Sequence, residues 1–180
     1  MRKEIFKEIK IPDGVDAEVE KNTLSVNGKE GKLKRKFDSN NFLFEKKGRA
    51  IVIGGKDLTK KDKRILNTIV AHIKNMINGV QQKFEYKLKI VYSHFPITVE
   101  LKGNEAIIKN FLGEKISRRA EVLGGTEVSI DGNVIRVTSN DKELAGQTAA
   151  NFEKATVIIG RDRRIFQDGI FITNKPGREI

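Results

Sequence analysis

The chain has no cysteine and only two histidines among its 180 residues. Disulfide frameworks, zinc sites built from Cys and His, and thiol catalysis are therefore excluded by inventory. No uninterrupted apolar run approaches the roughly 20 residues that a membrane-spanning helix needs. Residues Met1 to Lys10 carry charges where a secretory leader would place its apolar segment. The expectation is a soluble, cytoplasmic protein. Apolar residues make up 38% of the chain, enough to bury a core in one ordinary domain or in two small ones.

One sign of charge is in excess. Thirty-five Lys and Arg face 24 Asp and Glu, for a net charge of +11 and a pI near 9.8. Such a balance points to a polyanionic partner, the alternative being a basic surface that is merely solvated or enriched in charge for thermal stability. The excess is uneven: residues 1–90 carry a net +10 and residues 91–180 a net +1.

The organising stretch is Lys83 to Pro96. Phe84, Tyr86, Leu88, Ile90, Tyr92 and His94 alternate with Lys83, Glu85, Lys87, Lys89 and Ser93, which predicts one long strand with a buried face. Pro96 ends it, having no N–H to give a neighbouring strand. Before it, short strands are expected over Val15–Glu20, Thr23–Asn27, Gly31–Asp38, Phe42–Lys46 and Ala50–Ile53, with polar Asp38-Ser39-Asn40-Asn41 between the third and fourth. Apolar residues at Ile65, Leu66, Ile69, Val70, Ile73, Met76 and Ile77 then keep helical spacing from Lys60 to about Asn78, and Gly79 stands in the C-cap place. After Pro96 the same order returns. Ile97 to Leu101, Ala106 to Lys109, a basic strand from Gly113 to Val122, and the pair Thr126–Ile130 and Val134–Thr138 around Asp131-Gly132 precede a helix from Asp141 to about Lys154, with Asn140 as N-cap.

Superposing the halves at a shift of 82 to 84 positions matches Pro12 with Pro96, Val15 with Val99, Asn22 with Asn104 and Gly31 with Gly113. The shared order of elements argues for a duplication. The predicted fold class is α+β, with two duplicated units at 1–82 and 83–180, each an antiparallel sheet with one main helix packed on one face. The last segment, from Val157 onward, has no counterpart in the first unit. Its final 20 positions hold five basic and three acidic residues between glycines and two phenylalanines, the composition of an appended contact surface.

Several motifs reduce to structure. Gly54-Gly55-Lys56-Asp57 stands between a strand and a helix but lacks the spacing of a phosphate-binding loop. Gly28-Lys29-Glu30-Gly31 matches the GXXG loop of a KH domain, yet it lies between strands and reads as a β-turn. His72 and His94 read as boundary residues without ligand partners, and Ser117 and Ser129 have no His nearby. Neither a catalytic residue, a metal, a cofactor nor a small-molecule substrate is expected. Lys32, Lys34 and Lys36 share a face at strand period. They form either a phosphate-tracking stripe or a solvated outer face.

Three stretches carry a family resemblance: Phe84 to Pro96 (FEYKLKIVYSHFP), Gly146-Gln147 with Ala149-Ala150-Asn151, and above all Arg161 to Ile172 (RDRRIFQDGIFI). By these the chain resembles the large-subunit ribosomal protein family six (uL6) in its archaeal and eukaryotic form, over its whole length. The bacterial branch would show a proline- and lysine-rich Lys-Gly-Lys-Gly segment in place of the last stretch. Lys154 and Phe171 stand where Gln and Tyr are more often expected. The resemblance implies two duplicated α+β domains and binding to 23S-type ribosomal RNA near the sarcin-ricin region, with ribosomal proteins at the stalk base as neighbours. It places the RNA-facing tail on Arg161, Arg163, Arg164, Lys175 and Arg178. Net charge favours the first unit instead, but a sum over a unit does not say which face carries it. A free-standing RNA-binding or interaction module outside the ribosome is the alternative.

Overall fold

Each half of the chain runs through the same order of elements in the computed structural model, which describes residues 3–38 and 42–180. The first unit, Met1–Lys83, begins with strand β1 (Lys3–Lys10) and a meander, β2 (Asp16–Glu20), β3 (Thr23–Gly28) and β4 (Gly31–Lys36). A hairpin of β5 (Leu43–Lys47) and β6 (Ala50–Leu58) leads into helix α1 (Lys60–Gln81). The second unit, Phe84–Ile180, repeats this with β7 (Phe84–Val91), the meander β8 (Thr98–Lys102), β9 (Glu105–Lys109) and β10 (Arg118–Glu121), the hairpin β11 (Glu127–Asp131) and β12 (Val134–Ser139), and helix α2 (Lys142–Ala155). It then adds β13 (Gly169–Lys175) and β14 (Arg178–Glu179). Ser39 to Asn41 of the expected polar boundary lie outside the described residues.

The fold is α+β and every strand pairing is antiparallel. Each unit divides its strands between two sheets. In the first the orders are β1-β6-β5 and β2-β3-β4; in the second they are β11-β12-β7-β13-β14 and β10-β9-β8. The helix of each unit packs on both of that unit's sheets, because a sheet with one apolar face needs a cover and the helix's apolar stripe provides it. Leu66, Ile69, Ile73 and Ile77 of α1 meet Leu24, Val26, Ile51 and Ile53; Ala145, Ala149 and Phe152 of α2 share a separate core with Leu88, Ile90, Ile135 and Val137.

Equivalent turns repeat as well. The hairpin loops Gly48-Arg49 and Gly132-Asn133 both open with a glycine in the left-handed region, φ 59° and 56°. Positive φ at the first loop position only is the II′ arrangement that suits the twist of the flanking strands. Asp131, expected in the turn, instead pairs with Val134.

Strand β1 has no clear alternation in the sequence, since Lys7 falls among its inward positions with Ile5 and Ile9. The Lys7 amine reaches Asn67 Oδ1 of α1 at 2.7 Å, which satisfies the charge at the edge of the core. β1 pairs with β6 as β7 pairs with β12, so the organising strand of the second unit has a counterpart in the first.

Several local expectations are corrected. The long strand ends at Val91 and not at His94: Ser93 is drawn off to Asp168, and Tyr92 and His94 are exposed. Gly54 and Gly55 belong to β6 itself; a Cβ at Gly54 would collide with the Ile5 carbonyl oxygen and Phe6 of the neighbouring strand. Gly79 does not end α1. The Glu30 N–H takes the Val80 carbonyl at 2.9 Å, so the β3–β4 turn supplies a donor that lets the helix run on to Gln81. The N-cap of α2 is Asp141, whose Oδ1 accepts from the Glu143 N–H at 2.8 Å, and not Asn140. The Gly113–Val122 stretch is strand only from Arg118 to Glu121, following a 3-10 turn at Phe111–Gly113.

Candidate nucleic-acid interface

Strand β13 lies along the edge of β7 opposite β12, with Ile170 beside Ile90 and Ile172 beside Leu88. Its buried residues continue the core pattern of β7, and that pins the appended segment to the unit. Three side chains fix the start of the strand. Thr156 Oγ1, buried at the end of α2, accepts from the Ile170 N–H at 3.0 Å, and Glu153 Oε1 accepts from the Ile172 N–H at 2.7 Å. Asp168, 4% exposed, accepts from both the N–H and the hydroxyl of Ser93 at 3.1 and 3.2 Å.

Between these anchors the loop from residue 156 to 168 carries Arg161, Arg163 and Arg164, all exposed. Their settings differ. The Arg161 guanidinium lies 4.9 Å from the centroid of the Phe166 ring, a cation–π contact that restrains an otherwise exposed side chain. Arg164 forks onto Asp162, with Nη2 to Oδ2 at 2.8 Å and Nε to Oδ1 at 3.1 Å, and its own N–H donates to Oδ1. Those bonds hold the Asp162 carboxyl below its ordinary range and raise Arg164. Arg163 makes no ion pair or ring contact among the described residues.

A further arginine, Arg118 on β10, organises the loop from below. Its Nη1 donates to the carbonyls of Ala155 and Val157 at 3.0 and 2.9 Å, Nε and Nη2 grip the Glu114 carboxylate at 2.8 and 2.7 Å, and the group sits 4.2 Å from the Phe111 ring centroid. It satisfies the carbonyl of Ala155, the last residue of α2, and that of Val157 just beyond the helix. The Glu114 carboxyl is lowered by the bonds from Arg118, with its charge and that of Arg161 adding to the effect. No local pattern marks Arg118, because only the fold brings β10 under the end of α2.

Lys175 and Arg178 sit elsewhere. They face each other across the Pro176-Gly177 turn at the far end of β13; Gly177 has φ 79°, as a type II turn requires at that position. Seven residues of strand put Lys175 about 20 Å from Gly169, where the loop of the three arginines joins β13. The predicted tail site is thus two clusters. Lys32, Lys34 and Lys36 are exposed on one face of β4, an edge strand of the first unit, with Leu33 and Arg35 half-buried on the other. The period is as expected; they belong to a different unit from the tail.

Among the described residues no group of His, Cys, Asp and Glu is arranged to hold a metal, and no helix is long and apolar enough to cross a membrane. His94 stacks edge-on against Phe95 at 4.7 Å, and His72 lies 6.5 Å from Phe37.

Residues 11–83 and 95–169 each match the family model described as Ribosomal protein L6. The two matches fall one in each unit, and the second ends where β13 begins. Over 171 residues the chain is 43% identical to the large ribosomal subunit protein uL6 of Methanobrevibacter smithii, covering 95% of this chain and 96% of that protein. It is also 43% identical over 176 residues to the large ribosomal subunit protein uL6 of Methanococcus vannielii, covering 98% and 97%.

Proposed function

The chain belongs to the ribosomal protein L6 family, and from that premise we propose that it is a structural constituent of the large ribosomal subunit which binds 23S-type rRNA through the second unit. In this reading it lies near the sarcin-ricin region, with ribosomal proteins of the stalk base as neighbours, and acts by holding RNA in place and not as an enzyme. The observation that carries the reading is the anchored loop carrying three exposed guanidinium groups in four residues, Arg164 with one edge already on Asp162. Planar guanidinium forks match phosphate oxygens bidentately, and a loop already fixed by Thr156, Asp168 and Arg118 loses little freedom when RNA binds. Phosphate contacts of this kind position a protein without reading bases. Lys175 and Arg178 extend the contact along the backbone, and Lys32, Lys34 and Lys36 offer a second, weaker track in the first unit.

The test is a salt titration on a large-subunit rRNA fragment with the wild type and the triple variant Arg161→Ala, Arg163→Ala, Arg164→Ala, with circular dichroism to confirm folding. Removing one phosphate contact should lower the slope of log K against log salt by roughly 0.7 to 0.9, so the slope of the triple variant should be shallower by about two. An unchanged slope in a folded variant would move the site to Lys32, Lys34 and Lys36. Co-sedimentation with the large subunit in high salt separates a ribosomal constituent from a free-standing RNA-binding module.

A further inference from the structure

Beneath the arginine loop lies a groove of about 660 Å³, lined by Val91, Val157, Ile158, Phe166 and Phe171, with Arg163 also lining it. Its volume is within the range of sites that enclose small molecules, and it is apolar where the surrounding loop is cationic. Phe171 is 47% exposed, and its ring rests on the backbone of Gly169, where any Cβ would stand about 2.9 Å from the ring. Glycine here is what lets the ring lie down. Two carboxylates complete the wall. Asp168 and Glu153 each use a single oxygen on N–H or O–H donors from the fold, Oδ1 and Oε1 respectively, and their second oxygens have no partner among the described residues. Asp168 is almost wholly buried, so its second oxygen is to be met from the groove it lines, by water or by a ligand donor that displaces it.

We propose that this groove takes one unstacked RNA base, stacked on Phe171, with its exocyclic amine donating to Asp168 or Glu153 and its phosphate held by Arg163. The proposal rests on the rRNA-binding reading and deepens it: the arginines hold the backbone and the groove selects a base. An anionic, planar, amine-bearing ligand is what a cationic rim, an aromatic floor and spare carboxylate acceptors complement together. Unstacked bases docked on aromatic rings are the usual route to sequence preference in RNA recognition, and a carboxylate accepting from a base amine prefers cytosine, adenine or guanine over uracil.

The experiment compares single-stranded ten-nucleotide oligocytidine and oligouridine, which carry equal charge, in binding to the full-length chain. The wild type should prefer oligocytidine by about tenfold. Phe171→Ala should abolish the preference while leaving the salt slope unchanged, and Phe171→Tyr, which keeps the ring, should retain it. Equal affinity for the two strands overturns the groove, as does failure to bind either strand while the rRNA fragment still binds. Absence of the Phe171→Ala variant from large subunits despite unaltered RNA binding also overturns it, assigning the groove to a protein neighbour. The preference is read between strands of equal charge, so its loss and a loss of the arginine salt slope are separate outcomes.

Discussion

Asp168 and Ser93 are 75 positions apart, and one carboxylate oxygen of the first accepts both the backbone N–H and the hydroxyl of the second. This contact closes β7 and starts β13 at the same point. It also fixes one end of the loop that carries the arginines. Asp168→Ala would leave a backbone N–H without its acceptor in a part-buried place, at a cost of about 1–3 kcal/mol. Ser93→Ala keeps the N–H contact and should cost less. Urea unfolding of the two variants checks the order, and limited proteolysis should find the Asp168→Ala loop cut first.

In β7 itself, Leu88 is fully buried while Lys89 on the opposite face is exposed. Leu88→Ala should destabilise by about 2–5 kcal/mol and Lys89→Ala by under about 0.5 kcal/mol. Tyr92→Ala and His94→Ala, beyond the strand's end, should resemble the lysine. Thermal melts that ranked Tyr92 with Leu88 would contradict the observed strand end.

At Gly28 a Cβ would stand 2.8 Å from the Val80 carbonyl oxygen, the group that the neighbouring Glu30 N–H caps. Gly28→Ala should therefore push the β3–β4 turn off the end of α1 and cost about 1–3 kcal/mol. Hydrogen exchange should be faster in the last turn of α1, with α2 unaffected.

The Glu114 carboxyl is lowered from an ordinary value of 4.5 by Arg118. A group depressed in the folded state contributes stability above its unfolded pKa, and that contribution is lost as pH falls through the folded value. The wild type should exceed Glu114→Gln in stability at neutral pH, and the gap should close as pH drops below about 4.5. Urea midpoints of both proteins between pH 7 and pH 3 measure it. A gap that widened in acid would rule out the Arg118 pairing as its source.

Much of the fold was legible because it rests on local pattern. The alternation of Tyr86, Leu88 and Ile90, the helical spacing of Leu66, Ile69 and Ile73, and the turn glycines Gly48 and Gly132 state their elements with no reference to distant residues. β1 was not legible, since Lys7 at an inward position breaks the alternation, and the acceptor that meets its amine, Asn67 on α1, is 60 positions away. The end of α1 failed for a similar reason: Gly79 is a stop signal by itself, and the donor that overrides it comes from a turn some fifty residues earlier.

The sequence alone determined the α+β class, the repeat, the run of arginines and the family resemblance, because composition, period and motif are properties of neighbouring residues. Tertiary structure decided the rest. Whether Arg161, Arg163 and Arg164 stand on a fixed platform depends on Arg118, Asp168 and Thr156, which come from other elements. That Lys175 and Arg178 form a separate cluster follows from the extended length of β13. The groove behind the loop exists only once β13 lies along β7, a long-range pairing whose partners carry no mark of each other in the sequence.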